Sequence, residues 1–420
     1  MVRQRSYDIG IVGATGYTGR LVMQSLSRAR PDLKIVASSR QPDQLTKLAH
    51  SMGSIISAWP KAVDTNMYNT LVDFVSHAKV IIACAGPFYE IGISVVKACV
   101  ETGTHYVDIT GEVDFMRRLI DAFGAHARIG NVLVVPACGF DSVPSDMGVF
   151  SLQKTAPSPL IRVVNYVEWK ASYSGGTIRT LFSTMKDPSR KLILHDAFAL
   201  NERLDETVSP GKMPSKFEMD IHGISFEHKL RKWLCPSIMA PINTRVVRRT
   251  VSLSRVHPEH HLNFHNDFVY REVNQSSSLL SAIGPTVLSL ALSPVKWVLS
   301  WSVFNRMLSW IIPSSGEKGG PSAEQRKGHH FRYLLMGSCQ NGEEVEVQVF
   351  GGDPYDVTGE TAALAAICIL ENEEALLQEL NGGGVFTPAY ALGEKYLKKL
   401  QSSEVLKFDI KGGGKPVTAG

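Results

Sequence analysis

The chain is poor in cysteine. Six are scattered over 420 residues, at Cys84, Cys99, Cys138, Cys235, Cys339 and Cys368. No C-x-x-C pair and no zinc-type spacing occurs, which argues against a disulfide framework and gives no metal site to assign. Several of these thiols sit in apolar runs, so buried free cysteines in a reducing, cytoplasmic compartment are expected. Charge of one sign is missing too. Lys and Arg number 44 against 40 Asp and Glu, a net charge of +4. With no dominant basic cluster, nucleic acid is not expected as a partner. No secretory leader is expected, because Asp8 interrupts a basic start and the apolar run after it is only strand-length. Residues 412–420 carry no lipidation signal.

A full core is present. Hydrophobic residues make up 44% and charged residues 20%, the balance of an ordinary globular protein. The length predicts more than one domain. Residues 1–150 alternate strand-like and helix-like segments, which predicts an α/β fold with a doubly wound parallel sheet. Expected strands cover residues 9–12, 34–38, 80–85, 105–109 and 132–136. Expected helices cover 20–30, 41–51, 92–102 and 114–129. Residues 151–350 read as an α+β domain on a mainly antiparallel sheet. Strands are expected at 161–172, 245–254, 262–273, 331–337 and 345–350, the last two forming a hairpin about Asn341-Gly342. Residues 351–420 supply helices at 361–380 and 388–400, expected to pack back on the first domain. Residues 279–313 form an apolar insert broken by Pro285, Pro294, Lys296 and Arg306. It suits a helical pair at a membrane surface, or equally a core or homodimer-forming insert.

The chain is organised around Asp8-Ile9-Gly10-Ile11-Val12-Gly13-Ala14-Thr15-Gly16-Tyr17-Thr18-Gly19. An apolar strand reaches a turn with glycine at every third position, and a helix follows. Gly13 suits a tight turn, Gly16 a close approach of main chain to a pyrophosphate, and Gly19 close helix–strand packing. Thr15, Tyr17 and Thr18 complete the loop, whose N–H groups would face the phosphates at the positive end of the helix. The second strand ends in Ala37-Ser38-Ser39-Arg40. A carboxylate here would hold a ribose 2′-hydroxyl. Ser39 and Arg40 instead suit a 2′-phosphate, so the expected cofactor is NADPH; Arg40 as the start of a solvated loop is the plainer alternative.

Three later stretches follow strands. Ala85-Gly86-Pro87-Phe88-Tyr89 offers Ala85, Gly86 and Pro87 to the cofactor and Phe88 to substrate; Tyr89 is a proton donor or a packing aromatic. Asp108 and Glu112 form a carboxylate pair for acid/base work or, more commonly, for capping and orientation. Gly139-Phe140-Asp141-Ser142-Val143-Pro144-Ser145-Asp146 places Asp141 as a second proton donor, with Ser142 and Ser145 toward substrate. Alternatively Asp141 makes an Asx turn and Ser145 caps a helix. Arg179 is a candidate for a substrate carboxylate. His257, His260, His261 and His265 lack a carboxylate partner set and read as a surface cluster.

Together these motifs resemble the saccharopine dehydrogenase-like oxidoreductases, a family that includes trans-acting enoyl reductases. Gly175-Gly176-Thr177, Asp353-Pro354-Tyr355-Asp356-Val357-Thr358 and Gly383-Gly384-Val385-Phe386-Thr387-Pro388-Ala389 extend the likeness. The resemblance implies a nicotinamide cofactor, a second domain carrying the substrate cleft, and an insert like the segment through which some members meet membranes or lipid droplets. The expected reaction is hydride delivery to the C=C of a thioester-linked polyketide or lipid chain, in trans to a synthase. The alternatives are imine reduction or amine oxidation, or a non-catalytic cofactor-binding protein at a lipid surface. Hydride transfer needs no protein nucleophile.

Overall fold

A computed structural model describes residues 5–52, 56–171, 190, 193, 196–203, 214–257, 262–292 and 319–411. The chain divides into two compact units. One comprises Met1–Met147, His257–His260 and Pro354–Lys407. The other comprises Gly148–Val256, His261–Asp353 and Phe408–Gly420.

The first unit is built on a seven-stranded sheet. Its strands are β1 (Tyr7–Val12), β2 (Ile35–Ser38), β3 (Ile56–Ala58), β4 (Ala78–Ala83), β5 (His105–Asp108), β6 (Leu133–Val135) and β13 (Gly384–Val385). The order is β13-β6-β5-β4-β1-β2-β3, and every pairing is parallel. Ile11 lies between Ala37 and Ile82 in register. Strands such as Ala78–Ala83 are apolar nearly throughout because helices cover both faces. The helices are α1 (Tyr17–Ala29), α2 (Pro42–Ser51), α3 (Tyr68–Val75), α4 (Phe88–Thr102) and α5 (Val113–Ile129). To these the chain's C-terminal part adds α10 (Pro354–Glu379) and α11 (Pro388–Gln401). Helix α6 (Val143–Thr155) leads on into the second unit.

The second unit also has a seven-stranded sheet. It contains β7 (Leu160–Lys170), β8 (Ser225–Glu227), β9 (Lys232–Cys235), β10 (Phe264–Ser276), β11 (His330–Cys339), β12 (Glu344–Gly351) and β14 (Leu406–Lys411), in the order β14-β12-β11-β7-β10-β9-β8. The β11–β12 hairpin turns at Asn341-Gly342, where Gly342 has φ +87°. The sheet is mixed: β7 and β10 run parallel, while β8–β9, β9–β10, β7–β11 and β11–β12 are antiparallel. Helices α7 (Ala240–Val256), α8 (Leu279–Leu292) and α9 (Ala323–Arg326) complete the described elements of this unit.

The strand expected at residues 245–254 is instead the body of α7. Val, Thr and Arg in alternation favour a strand locally. Tertiary bonding overrides that preference, because the helix aligns three buried arginines with a neighbouring chain segment. Arg245 Nε donates to the Asp196 carbonyl at 3.1 Å, Arg248 to that of Ala197 at 2.9 Å, and Arg249 to that of Leu200. Arg245 also forks onto both carboxylate oxygens of Asp220 at 2.8 and 2.7 Å. An Asp220→Ala variant would strand a buried guanidinium and should lose about 3 kcal/mol of unfolding free energy by denaturant titration. A pairwise Arg245→Met, Asp220→Leu change should lose less.

Candidate active site

The loop after β1 is shaped by close contacts. Gly13 has φ +82°, and a Cβ there would lie 2.8 Å from the Ala85 backbone nitrogen. A Cβ on Gly19 would lie 2.4 Å from the Gly13 carbonyl oxygen. The first turn of α1 can therefore press against the β1 turn only with glycine at these places. Gly16 is the N-cap residue, and neither a side-chain cap nor an acidic residue occupies the first turn. The end of α1 thus presents main-chain N–H groups and a positive dipole end without a protein carboxylate. That cradle fits a dinucleotide pyrophosphate.

At the end of β2, Ser39 Oγ lies 3.1 Å from Thr15 Oγ1 and accepts the Gln41 N–H at 3.1 Å. One hydroxyl pair thereby joins the phosphate loop to the position beside the adenosine ribose. Arg40 is exposed next to it and makes no hydrogen bond or ion pair among the described residues. Its guanidinium remains able to meet an anion.

Two buried carboxylates brace the carboxyl ends of β4, β5 and β6. Glu112 accepts the N–H groups of Phe88 at 2.7 Å and Tyr89 at 3.0 Å, so it caps α4 across space. This fixes the start of α4 directly after the cis Gly86–Pro87 peptide. Asp108 Oδ1 accepts the N–H of Thr110 and of Ala137, each at 2.9 Å, and its Oδ2 accepts from Tyr106 Oη at 2.9 Å. Ala137 has φ +60°, a conformation costly for a residue with a Cβ; the bond from its N–H helps hold it there. Both carboxylates hold the backbone in place, the alternative to acid/base work for such a pair.

The sequence-predicted residues fare differently. Gly13, Thr15, Gly16, Tyr17, Thr18, Gly19, Ser39, Arg40, Ala85, Gly86 and Pro87 gather along the carboxyl edge of the sheet, in the loops after β1, β2 and β4 and in the first turn of α1. Phe88 does not open toward a ligand: it is buried, with its ring 5.7 Å from that of Phe115 in the core. Ser142 and Ser145 are also buried, at 1% and 0% exposure, because the chain at Val143 has already entered α6. Tyr89 is half-buried; the Arg118 guanidinium sits 4.6 Å from its ring centroid and donates to its carbonyl. Asp141 is half-buried just before α6. Arg179 lies outside the described residues, as do His260 and His261. His265 lies in strand β10. Among the described residues no group of His, Cys, Asp or Glu is arranged to hold a metal ion.

The C-terminal helix α10 was not anticipated at this site. Tyr355 packs edge-on against Tyr17, with ring centroids 5.3 Å apart. Thr358 Oγ1 accepts the Phe140 N–H at 3.0 Å, and Thr361 Oγ1 donates to the Cys138 carbonyl at 2.8 Å. No local signal marks contacts spanning more than 200 residues; only the likeness at residues 353–358 hinted that this stretch matters.

Burial raises the Asp108 carboxyl to about 7, against the bonds from Thr110, Ala137 and Tyr106 that favour its ionised form. A raised folded-state value means that Asp108 favours folding in acid, and that this contribution is lost as pH rises through about 7. Asp108→Asn mimics the protonated acid: its amide donates to Tyr106 Oη while its oxygen keeps both N–H groups. The variant should therefore gain stability relative to wild type between pH 5 and pH 8, by up to about 3 kcal/mol. Parallel denaturant titrations at the two pH values read this difference.

Residues 9–128 match the family model described as the saccharopine dehydrogenase NADP binding domain. A Mycobacterium tuberculosis protein, provisionally named a trans-acting enoyl reductase, is 29% identical over 96% of this chain and 97% of its own length. A trans-acting enoyl reductase of Mycobacterium ulcerans is 28% identical over the same shares. Among solved structures, saccharopine dehydrogenase (L-Glu forming) of Saccharomyces cerevisiae aligns over 97% of this chain and 100% of its own, with a TM-score of 0.51 and 12% identity. That likeness concerns the fold. With the uncapped phosphate cradle at its first helix, the chain is an NAD(P)H-dependent oxidoreductase whose residues 9–128 are similar to the saccharopine dehydrogenase NADP binding domain.

Proposed function

We propose that this protein is an NADPH-dependent, trans-acting enoyl reductase that saturates the C=C of a thioester-linked polyketide or lipid chain. The supporting observation is near full-length similarity to trans-acting enoyl reductases, which spans the second unit as well as the nucleotide domain. When bound, the cofactor supplies the hydride. The chain's own groups bind and orient. The α1 end receives the pyrophosphate, Ser39 and Arg40 receive the 2′-phosphate, and the Gly86-Pro87 and Ala137–Asp141 stretches border the nicotinamide side. A proton must reach the carbon α to the carbonyl. Tyr89 and Asp141 are the candidate donors, since both are half-buried beside those stretches.

A lipid-facing role has one specific observation behind it. Helix α8 contains no charged residue and exposes Leu279, Leu280, Ile283 and Val287 at 45%, 80%, 44% and 46%. No helix among the described residues is long and apolar enough to cross a membrane. A peripheral association with a membrane or lipid-droplet surface would cover this face and bring long acyl chains close. Replacing Leu280 and Ile283 with Glu should reduce recovery of the protein with floated phosphatidylcholine vesicles severalfold.

NADPH oxidation should accelerate with 2-enoyl thioesters and not with a panel of cyclic and amino-acid-derived imines. Turnover of the imines alone would overturn the enoyl reading. Arg40→Asp should weaken NADPH binding by about tenfold to 100-fold, the value of a charge-assisted contact to phosphate, and leave NADH binding little changed. Equal affinities of the variant and wild type for NADPH would remove Arg40 from the site.

A further inference from the structure

We propose that the C-terminal helix α10 is part of the cofactor site, with Thr358 as the positioning residue for the loop beside the nicotinamide. The proposal rests on the nicotinamide cofactor and not on the identity of the reduced bond.

In a doubly wound sheet the dinucleotide lies across the carboxyl ends of the strands, adenosine on the β2 side and nicotinamide on the β4–β6 side. Residues 137–142 leave the end of β6 and so border the nicotinamide half. Three side chains hold this segment in place. Asp108 takes the Ala137 N–H at 2.9 Å, and its own carbonyl takes the Cys138 N–H at 2.8 Å. Thr361 Oγ1 donates to the Cys138 carbonyl at 2.8 Å. Thr358 Oγ1 accepts the Phe140 N–H at 3.0 Å and donates its own proton to the Pro354 carbonyl at 2.8 Å. The Thr358 hydroxyl is thus polarised as an acceptor for the loop. Its methyl group fills the space beside Gly139, where a Cβ would lie 3.1 Å from Thr358 Cγ2.

Helix α10 is itself held against the phosphate end. The Tyr355 ring meets Tyr17, and a Cβ on Gly359 would lie 2.9 Å from Leu21. The first two turns of α10 therefore touch both α1, whose N-terminal end faces the phosphates, and the loop that borders the nicotinamide. Such a link sets the distance between the two ends of the cofactor, and hydride transfer is sensitive to displacements of about 1 Å.

The test compares whole cofactor with half of it. In Thr358→Val the Phe140 N–H loses its acceptor. NADPH should bind about tenfold more weakly, because binding must then order a loop that this hydrogen bond no longer holds in place, while 2′,5′-ADP, which reaches only the adenosine side, should bind as in wild type. Thr358→Ser keeps the hydroxyl and should restore NADPH affinity to within twofold. Equal weakening of NADPH and 2′,5′-ADP, unchanged NADPH binding, or failure of Thr358→Ser to restore it would each overturn the proposal. Should Thr358→Val fail to fold, Gly139→Ala supplies the second route. It should weaken NADPH severalfold alone and recover when combined with Thr358→Ser, which removes the opposing methyl; no recovery in the double variant would sink the idea. Nucleotide fluorescence reads all of these affinities without any acceptor substrate. A failed enoyl thioester assay therefore bears on the proposed reaction and leaves this measurement decisive.

Discussion

Every main-chain N–H at the carboxyl edge of a parallel sheet must find an acceptor, and this requirement organises the first unit. Most of the chain's answers are internal. Glu112 serves the two N–H groups that open α4, and Asp108 serves Thr110 and Ala137. Asp146 takes the N–H of Ala389 at the start of α11. Burying such carboxylates is costly, and each is tolerable because it is met by hydrogen-bond donors. At α1 the answer differs. Glycines bring the turn and helix together so tightly that no side chain caps the end. An anion from outside completes the accounting there, which is the physical content of a dinucleotide-binding domain.

The parts of this arrangement legible in the sequence are those with short-range signals. Strand-length apolar runs between amphipathic helices announce a parallel sheet, and glycine at every third position after β1 announces the cradle. The position of Ser39 and Arg40 is readable because the end of β2 has a known place in the fold. What escaped was decided by partners distant in the chain. Residues 245–254 look strand-like until Arg245, Arg248 and Arg249 find the carbonyls of Asp196, Ala197 and Leu200. Phe88, Ser142 and Ser145 resemble ligand contacts because Phe and Ser beside Gly and Pro usually lie in open loops. In the folded chain α4 begins at Phe88 and α6 at Val143, one turn earlier than the glycine and proline content suggested, and both helices draw these side chains inward.

The same reasoning separates placing a cofactor from choosing a substrate. The phosphate cradle is generic, since any dinucleotide presents a pyrophosphate. The loops after β4 and β6 lie outside that cradle, and they are held firmly by side chains: one by Glu112 and the other by Asp108, Thr358 and Thr361. Firm placement of loops that border a reacting centre limits conformational search in the bound state. It also limits what these loops can do themselves. A main chain whose N–H groups are already committed to Asp108, Thr358 and Glu112 cannot offer those same groups to a substrate carbonyl. On the proposed reaction, polarisation of a thioester must then come from side chains or from groups still uncommitted.

Asp108 shows how such bracing survives at neutral pH. Burial leaves its carboxyl near the midpoint of titration at about pH 7. A brace that failed on protonation would make the site fragile near that pH. Its two oxygens have separate duties, however. Oδ1 holds both backbone N–H groups, and Oδ2 meets only the Tyr106 hydroxyl. A hydroxyl donates or accepts by rotation alone. When Oδ2 gains a proton, Tyr106 turns from donor to acceptor and the bonds to Thr110 and Ala137 stay in place. The loop is therefore fixed in both protonation states, and the proton resides at a tyrosine–aspartate pair that exchanges it without moving the backbone. Replacing Tyr106 by Phe would remove this reversal. The protonated carboxyl would lose its acceptor and the ionised one a donor at Oδ2, while Oδ1 would still take the N–H groups of Thr110 and Ala137.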